Sequence, residues 1–170
     1  MIMPNKKLLI SACLLGKRVR YDGKTLTVTD QKLQDWFNRG WLASVCPEVD
    51  AGMSIPRVPA EISKGDGFAV LLGNADVISK VGDDVTGLFI KGACIALDLC
   101  RKHNISVAVL SESSPSCGST KIYDGQFSAT KISGVGVTTA LLKKNGIQVF
   151  NQFELAQAFE AVESLAKLNS

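Results

Sequence analysis

Cys13, Cys46 and Cys117 each stand at or just past the end of an apolar run. Cys13 follows Leu8-Leu9-Ile10-Ser11-Ala12, Cys46 follows Trp41-Leu42-Ala43-Ser44-Val45, and Cys117 comes shortly after Ile105-Ser106-Val107-Ala108-Val109-Leu110. As neighbouring strands of one parallel sheet, these runs would deliver their thiols to the carboxyl edge, where α/β proteins build ligand sites. Three converging thiolates make a soft-metal site with one coordination position open. A lone cysteine more often packs as a small hydrophobe. Three at equivalent strand ends, two of them in loops rich in Pro and Ser, favour the ligand role. No paired C-x-x-C clusters of a zinc ribbon occur, so position rather than spacing carries the inference. Cys94 and Cys100, six apart in an apolar helical pattern, read as core or lateral packing.

The remaining chemistry-bearing residues narrow the choice. His103 is the only histidine, and it sits at a helix terminus where a cation complements the dipole. That removes two-His zinc sites and Ser-His-Asp or Cys-His pairs, leaving acid–base work to carboxylates and hydroxyls. Glu48, two residues past Cys46, is a carboxylate placed to move a proton or orient a water beside a metal. The stretch Ser111-Glu112-Ser113-Ser114-Pro115-Ser116-Cys117-Gly118 is dense in hydroxyls that can donate to cluster sulfurs or substrate. Serine-rich turns and solvated loop glutamates are common, so neither feature is decisive alone. The two tyrosines, Tyr21 and Tyr123, each begin a Tyr-Asp-Gly turn and can wall a pocket for a flat ligand.

The elements that must position these residues follow from periodicity. Lys6 to Ala12 reads as a buried strand, and Leu14 to Lys24 as a loop ending in a turn. Asp30 is placed to cap a helix over Gln31 to Asn38 with Leu33, Trp36 and Phe37 on one face. Gly40 stops it, and the second strand follows, a βαβ signature. Pro47, Gly52, Pro56 and Pro59 predict irregular chain through about Ile62. Phe68 to Leu72 and Ala75 to Ile78 predict a hairpin across Gly73-Asn74. Thr86 is expected to cap the strongest helix, Gly87 to His103. Ile105 to Leu110 reads as a buried central strand, Ser111 to Ser119 as a polar loop, and Val135 to Lys144 as a helix. Ile147 to Phe150 is the last strand. Phe153 to Leu168 is a terminal helix with Phe153, Leu155, Ala156, Phe159, Val162 and Leu165 inward. The expected fold is a three-layer, Rossmann-like α/β arrangement with a parallel sheet and a small β-hairpin elaboration, as one domain over residues 1–170.

Composition fits that fold. The 170 residues carry 46% apolar and 21% charged side chains, ordinary for a globular chain and incompatible with disorder. A net charge of +3, with its densest cluster at Lys17, Arg18, Arg20 and Lys24, argues against nucleic acid and suits a small anionic or electron-rich ligand. No apolar stretch is long enough to span a bilayer, and the start lacks a signal core with a cleavage site. A cytoplasmic location is expected, and five cysteines there do not read as a disulfide framework.

Beyond these physical readings, Ser11-Ala12-Cys13-Leu14-Leu15-Gly16, Val19-Arg20-Tyr21-Asp22-Gly23, Cys46-Pro47-Glu48-Val49, Pro56-Arg57-Val58-Pro59-Ala60-Glu61-Ile62 and Ser111 to Gly118 form a specific set. The set continues through Ile122-Tyr123-Asp124-Gly125, Gly136-Val137-Thr138-Thr139-Ala140-Leu141-Leu142 and Asn145-Gly146-Ile147-Gln148-Val149-Phe150, spanning about the whole chain in order. It closely resembles a bacterial family, long a domain of unknown function, whose characterised members are thiouracil desulfidases. The resemblance implies a [4Fe-4S] cluster held by Cys13, Cys46 and Cys117, with Glu48 and Ser113 as catalytic residues. It further implies that Arg20 and Arg57 offset cluster charge or bind substrate oxygens, and that the substrate is a thiolated pyrimidine base or nucleoside. Two departures stand out: Ala129 where glycine is expected, and Val135 where an acidic residue is common. Three readings follow: a non-redox desulfidase for a 2-thiouracil-like compound, another cluster-dependent lyase or hydrolase on the same scaffold, or a zinc or iron-sulfur carrier or thiol sensor without enzymatic activity.

Overall fold

A computed structural model describes residues 6–169. The expectation about a signal core rests in part on residues 1–5, which lie outside the described residues. The core of the sheet is made by the apolar runs. Strands β1 (Leu8–Ser11), β2 (Leu42–Val45), β5 (Val107–Leu110) and β8 (Gln148–Asn151) form a parallel sheet in the order β2-β1-β5-β8. β1 and β5 are buried along their whole length, which is why their sequences show no polar alternation. Leu8, Ile10, Val107 and Val109 face one side, against α1 (Gln31–Asn38) and α6 (Leu155–Leu168). Leu9, Val45, Ala108 and Leu110 face the other, against α4 (Thr86–His103) and α5 (Val137–Lys144). Helices on both faces of a parallel sheet complete the three layers.

Register sets the edge that matters. Ser11 pairs with Val45, and Leu110 with Asn151, while Ile10 pairs with Val109, so all four strands end in one row. The chain leaves β1 towards β2 on one side and returns through β5 on the other. The strand order therefore reverses between β1 and β5, the place where open α/β sheets form a crevice.

Local signals explain the element ends. The Asp30 carboxylate accepts from the Leu33 N–H at 2.8 Å and starts α1 at Gln31. Asn104 closes α4 in the left-handed region, after Arg101, Lys102 and His103 in its last turn. No helix among the described residues is long and apolar enough to cross a membrane.

Five expectations need correction. The chain after Cys46 is irregular as expected over residues 51–59, but Pro47–Asp50 is a helical turn, α2, with Pro at a first-turn position where it lacks no bond, and Ala60–Ile62 is a strand. The run around Phe68 is not a strand but helix α3 (Gly67–Leu71), because the Asp66 side chain accepts from the Phe68 N–H and caps it. The hairpin elaboration pairs β3 (Ala60–Ile62) with β4 (Val77–Ser79), and a second antiparallel pair joins β6 (Lys121–Tyr123) to β7 (Lys131–Ser133). Thr86 lies within α4, and its hydroxyl accepts from the Val77 N–H at 2.9 Å instead of capping the helix. Finally, Phe37, Phe153 and Ala156 point outward, and Cys94 is exposed on α4 while Cys100 is buried. Phe153 precedes the first turn of α6, where its N–H donates to Asn151 Oδ1, so helical periodicity does not govern it.

Candidate metal centre and active site

Each of the three strand-end cysteines is presented by a different device. Cys13 lies in the 3-10 turn Ala12–Leu15 that follows β1, and it is buried. Cys46 is the N-cap residue of α2, with its N–H donating to Asp50 Oδ2 at 3.2 Å. Cys117 sits in the loop after β5. There the Ser114 hydroxyl accepts from its N–H at 3.2 Å, and its carbonyl accepts from the Thr139 hydroxyl at 2.9 Å. Ser11 and Ser111 tie the β1 and β5 ends together through a 2.9 Å bond from the Ser111 N–H to the Ser11 hydroxyl.

Two glycines let the helices press close behind this edge. A Cβ on Gly92 of α4 would strike the Pro47 carbonyl, next to Cys46. A Cβ on Gly136 would strike the Ser116 carbonyl, next to Cys117. Neither position has a positive φ, so the demand is for space alone.

The three thiols open into one cavity of ≈ 400 Å³, shared with Arg20, Tyr21, Glu48, Arg57, Ser113 and Tyr123. A larger cavity of ≈ 570 Å³ opens between Lys7, Arg101, Ser106 and Val162, away from this edge, with Cys100 as its one thiol. Burial pushes the Cys13 thiol up from its ordinary pKa, opposed by the Ser111 hydroxyl and the Arg20 charge. Burial likewise raises Cys46, opposed by the Val49 N–H, and the charges of Glu48 and Cys13 add to the rise. Cys117 is raised furthest, first by burial and then by the charges of Glu48, Cys46 and Cys13. The three sulfurs thus lie within reach of one another's fields. Without a cation they hold their protons at neutral pH, and a cationic group that binds them displaces those protons.

Glu48 stands on the first turn of α2 and is paired with Arg57 at 2.7 Å. Arg57 also donates from Nη1 to the Val19 carbonyl at 3.1 Å and the Ser54 carbonyl at 3.3 Å, so both Nε and Nη1 are held by the protein. Arg20 is looser, 3.8 Å from Asp22. Tyr21 is 43% exposed at the cavity mouth, and Tyr123 carries the Lys131 ammonium 5.6 Å above its ring. Ser113 occupies the left-handed region at φ 67°, a conformation costing about 1 kcal/mol in a non-glycine residue. Strain of this kind collects at functional sites, and Ser113 faces the cavity.

Among the described residues, no three His, Cys, Asp or Glu side chains form a group suited to a single metal ion. The donor set of three thiols lining one cavity suits a soft-metal or iron-sulfur group.

Residues 8–154 match the 2-thiouracil desulfurase family. The chain belongs to that family. It is 43% identical over 148 residues to an uncharacterised protein, YbbK, of Bacillus subtilis (strain 168), covering 87% of this chain and 97% of that protein. A solved structure described as the [4Fe-4S]-dependent thiouracil desulfidase TudS is similar at a TM-score of 0.85 and 41% identity. The match covers 92% of this chain and 97% of the solved one.

Within the family frame, the cavity also contains residues to which the sequence reading gave no role. Glu61 is buried on β3 and accepts from the Phe127 N–H at 3.0 Å. Glu61, Lys80 and Phe127 join Pro59 and Ala129 in the outer wall. Of the two departures, Ala129 lines the cavity at φ 60°, where glycine would be unstrained, whereas Val135 is buried outside the lining. Glu112 was visible only as part of the serine-rich motif. In the folded chain it organises the Cys117 loop. A carboxylate flanked by hydroxyl and amide donors is the local signal that could have marked it.

Proposed function

We propose that this protein is a [4Fe-4S]-dependent desulfidase that converts a thiolated pyrimidine resembling 2-thiouracil to its oxo compound. The reaction balances without redox change: C=S and water give C=O and hydrogen sulfide. One observation carries the reading. Three thiols from three adjacent strand ends meet one cavity that also holds the Glu48 carboxylate. When bound by Cys13, Cys46 and Cys117, the cluster supplies an iron open to a soft sulfur donor, which polarises the thiocarbonyl carbon.

The chain's own residues do the rest. Glu48 takes a proton from the attacking water at its carboxylate, and Arg57 holds that carboxylate in place. The proton held by Glu48 and the one on the newly added hydroxyl leave with the sulfur as hydrogen sulfide, while the Ser113 hydroxyl hydrogen-bonds the ring or relays one of these protons, regaining its own in the same step. Tyr21 and Tyr123 flank the flat ring, and Arg20, whose partner lies 3.8 Å away, is the guanidinium best placed to meet a ring oxygen. Shared core supports reading the whole chain as one domain: α4 contributes Phe89 and Ala93 to one apolar cluster and Ala96 and Leu97 to the next. A bacterial cytoplasm suits five cysteines that are all free.

The test is anaerobic purification with metal analysis and a sulfide-release assay on 2-thiouracil, thiouridine and thiouridine monophosphate. Brown protein with about four irons and sulfide release from at least one substrate is expected. Colourless protein with stoichiometric zinc and no sulfide release would replace this reading with the carrier or sensor.

A further inference from the structure

The Glu112 side chain ties together the two ends of the loop that carries Ser113 and Cys117. Its Oε1 accepts from the N–H of Ser113 at 3.0 Å, Ser119 at 2.9 Å, Thr120 at 3.2 Å and Lys121 at 3.3 Å. Its Oε2 accepts from the Thr120 hydroxyl at 2.7 Å, the Asn151 amide at 2.7 Å and the Ser119 hydroxyl at 3.3 Å. These donors lie at the loop's beginning, at its end, and on β8. The Glu112 N–H meanwhile donates to Gln152 Oε1 at 2.9 Å, which anchors the backbone of the clasp to the same segment.

Successive N–H groups at Ser119, Thr120 and Lys121 converge as they do in anion-binding nests, but the anion is the chain's own carboxylate. Burial alone would raise the Glu112 carboxyl. The donors of Thr120, Ser113 and Lys121 outweigh it and hold the pKa at about 2. The carboxylate is therefore ionised at neutral pH.

We infer that Glu112 is a positioning residue that sets the Ser113 hydroxyl and the Cys117 thiol against the cavity. The geometry is direct. Ser113 takes its left-handed turn with its N–H on Glu112 Oε1, and Cys117 lies inside the span that the same oxygen closes. A neutral amide cannot do this. In Glu112→Gln an NH2 replaces Oε2 and faces the Asn151 NH2, donor against donor. This inference rests on the roles proposed above for Ser113 and Cys117, but its first test does not.

In cluster-free protein that remains folded, the alkylation rates of Cys117 and Cys13 are measured for wild type, Glu112→Gln and Thr120→Val. Glu112→Gln is expected to speed Cys117 by about tenfold or more, as befits loss of a charge-assisted bond, with Cys13 unchanged. Thr120→Val removes one donor from an exposed position, and a rise of about threefold is expected. Thr120→Val carries the test should the glutamine variant fail to fold. In reconstituted protein, Glu112→Gln should lower kcat per bound cluster by about tenfold with KM within about twofold. Adding Asn151→Asp, which gives the new NH2 an acceptor, should recover much of that loss. Unchanged Cys117 reactivity in either variant overturns the inference, as does a lower melting temperature with wild-type kcat per cluster. Wild-type protein that binds no iron or releases no sulfide would instead overturn the desulfidase reading, and the alkylation arm would still decide the role of Glu112.

Discussion

The Glu48 carboxylate and the Arg57 guanidinium form an ion pair of 2.7 Å in which the side chains are only 16% and 6% exposed. Arg57 also grips the Val19 and Ser54 carbonyls, so the carboxylate is referenced to two loops at once. Lysine cannot reproduce such a fork. Arg57→Lys is expected to lower sulfide release by about tenfold through displacement of Glu48. Arg57→Met, which leaves the half-buried Glu48 without its partner, should cost about 2 kcal/mol of stability in urea unfolding. A wild-type turnover rate in Arg57→Lys would remove Arg57 from the positioning of Glu48.

Cysteine substitutions separate ligands from packing. Cys13→Ser, Cys46→Ser and Cys117→Ser should each reduce iron from about four per chain to a small fraction, measured on anaerobic protein. Cys94→Ser, on the exposed face of α4, should keep both iron and activity. Cys100 is buried, with its thiol raised to about 11 by burial alone, so Cys100→Ser should lose stability while retaining iron. Iron loss in Cys94→Ser would be incompatible with the assignment.

The glycines behind the site offer a test remote from its chemistry. Gly92→Ala and Gly136→Ala each add a methyl group against backbone, and the helices they sit on or begin cannot retreat without opening the core. Each should destabilise by about 1–3 kcal/mol and lower iron uptake, because Pro47 and Ser116 adjoin the proposed ligands Cys46 and Cys117. Ala at the exposed Gly87, which meets nothing within 4 Å, is the control. Equal iron content in all three variants would show that the close approach does not matter to the centre.

Acid stability should carry the mark of Glu112. Its folded pKa of about 2 lies below the ordinary 4.5, so its stabilisation is complete above 4.5 and is lost as pH falls towards about 2. Glu112→Gln has no such group. Its stability gap from wild type, about 2 kcal/mol near neutral pH, should narrow through that acid window in urea unfolding. A gap constant with pH would assign the effect to packing.

The sheet was legible because its strands are apolar runs bounded by Gly and polar loops, and the thiols because each follows such a run. Shorter elements were not. Five residues of α3 are too few to show a helical period, and Pro47 reads as a breaker unless it is known to open a turn. The Glu48–Arg57 pair brings two motifs together across an intervening loop. The Glu112–Asn151 contact depends on β5 pairing with β8, which places Leu110 beside Asn151. Such contacts are products of tertiary register, and no local spacing encodes them.

The bonds that hold Cys117, from Ser114, Thr139 and the Glu112 clasp, are made entirely by polypeptide. Each of these bonds reaches Cys117 from a different stretch of chain, so its place is fixed by residues that carry no sulfur. A substitution at Ser114, Thr139 or Glu112 can therefore shift a sulfur atom without altering a single cysteine.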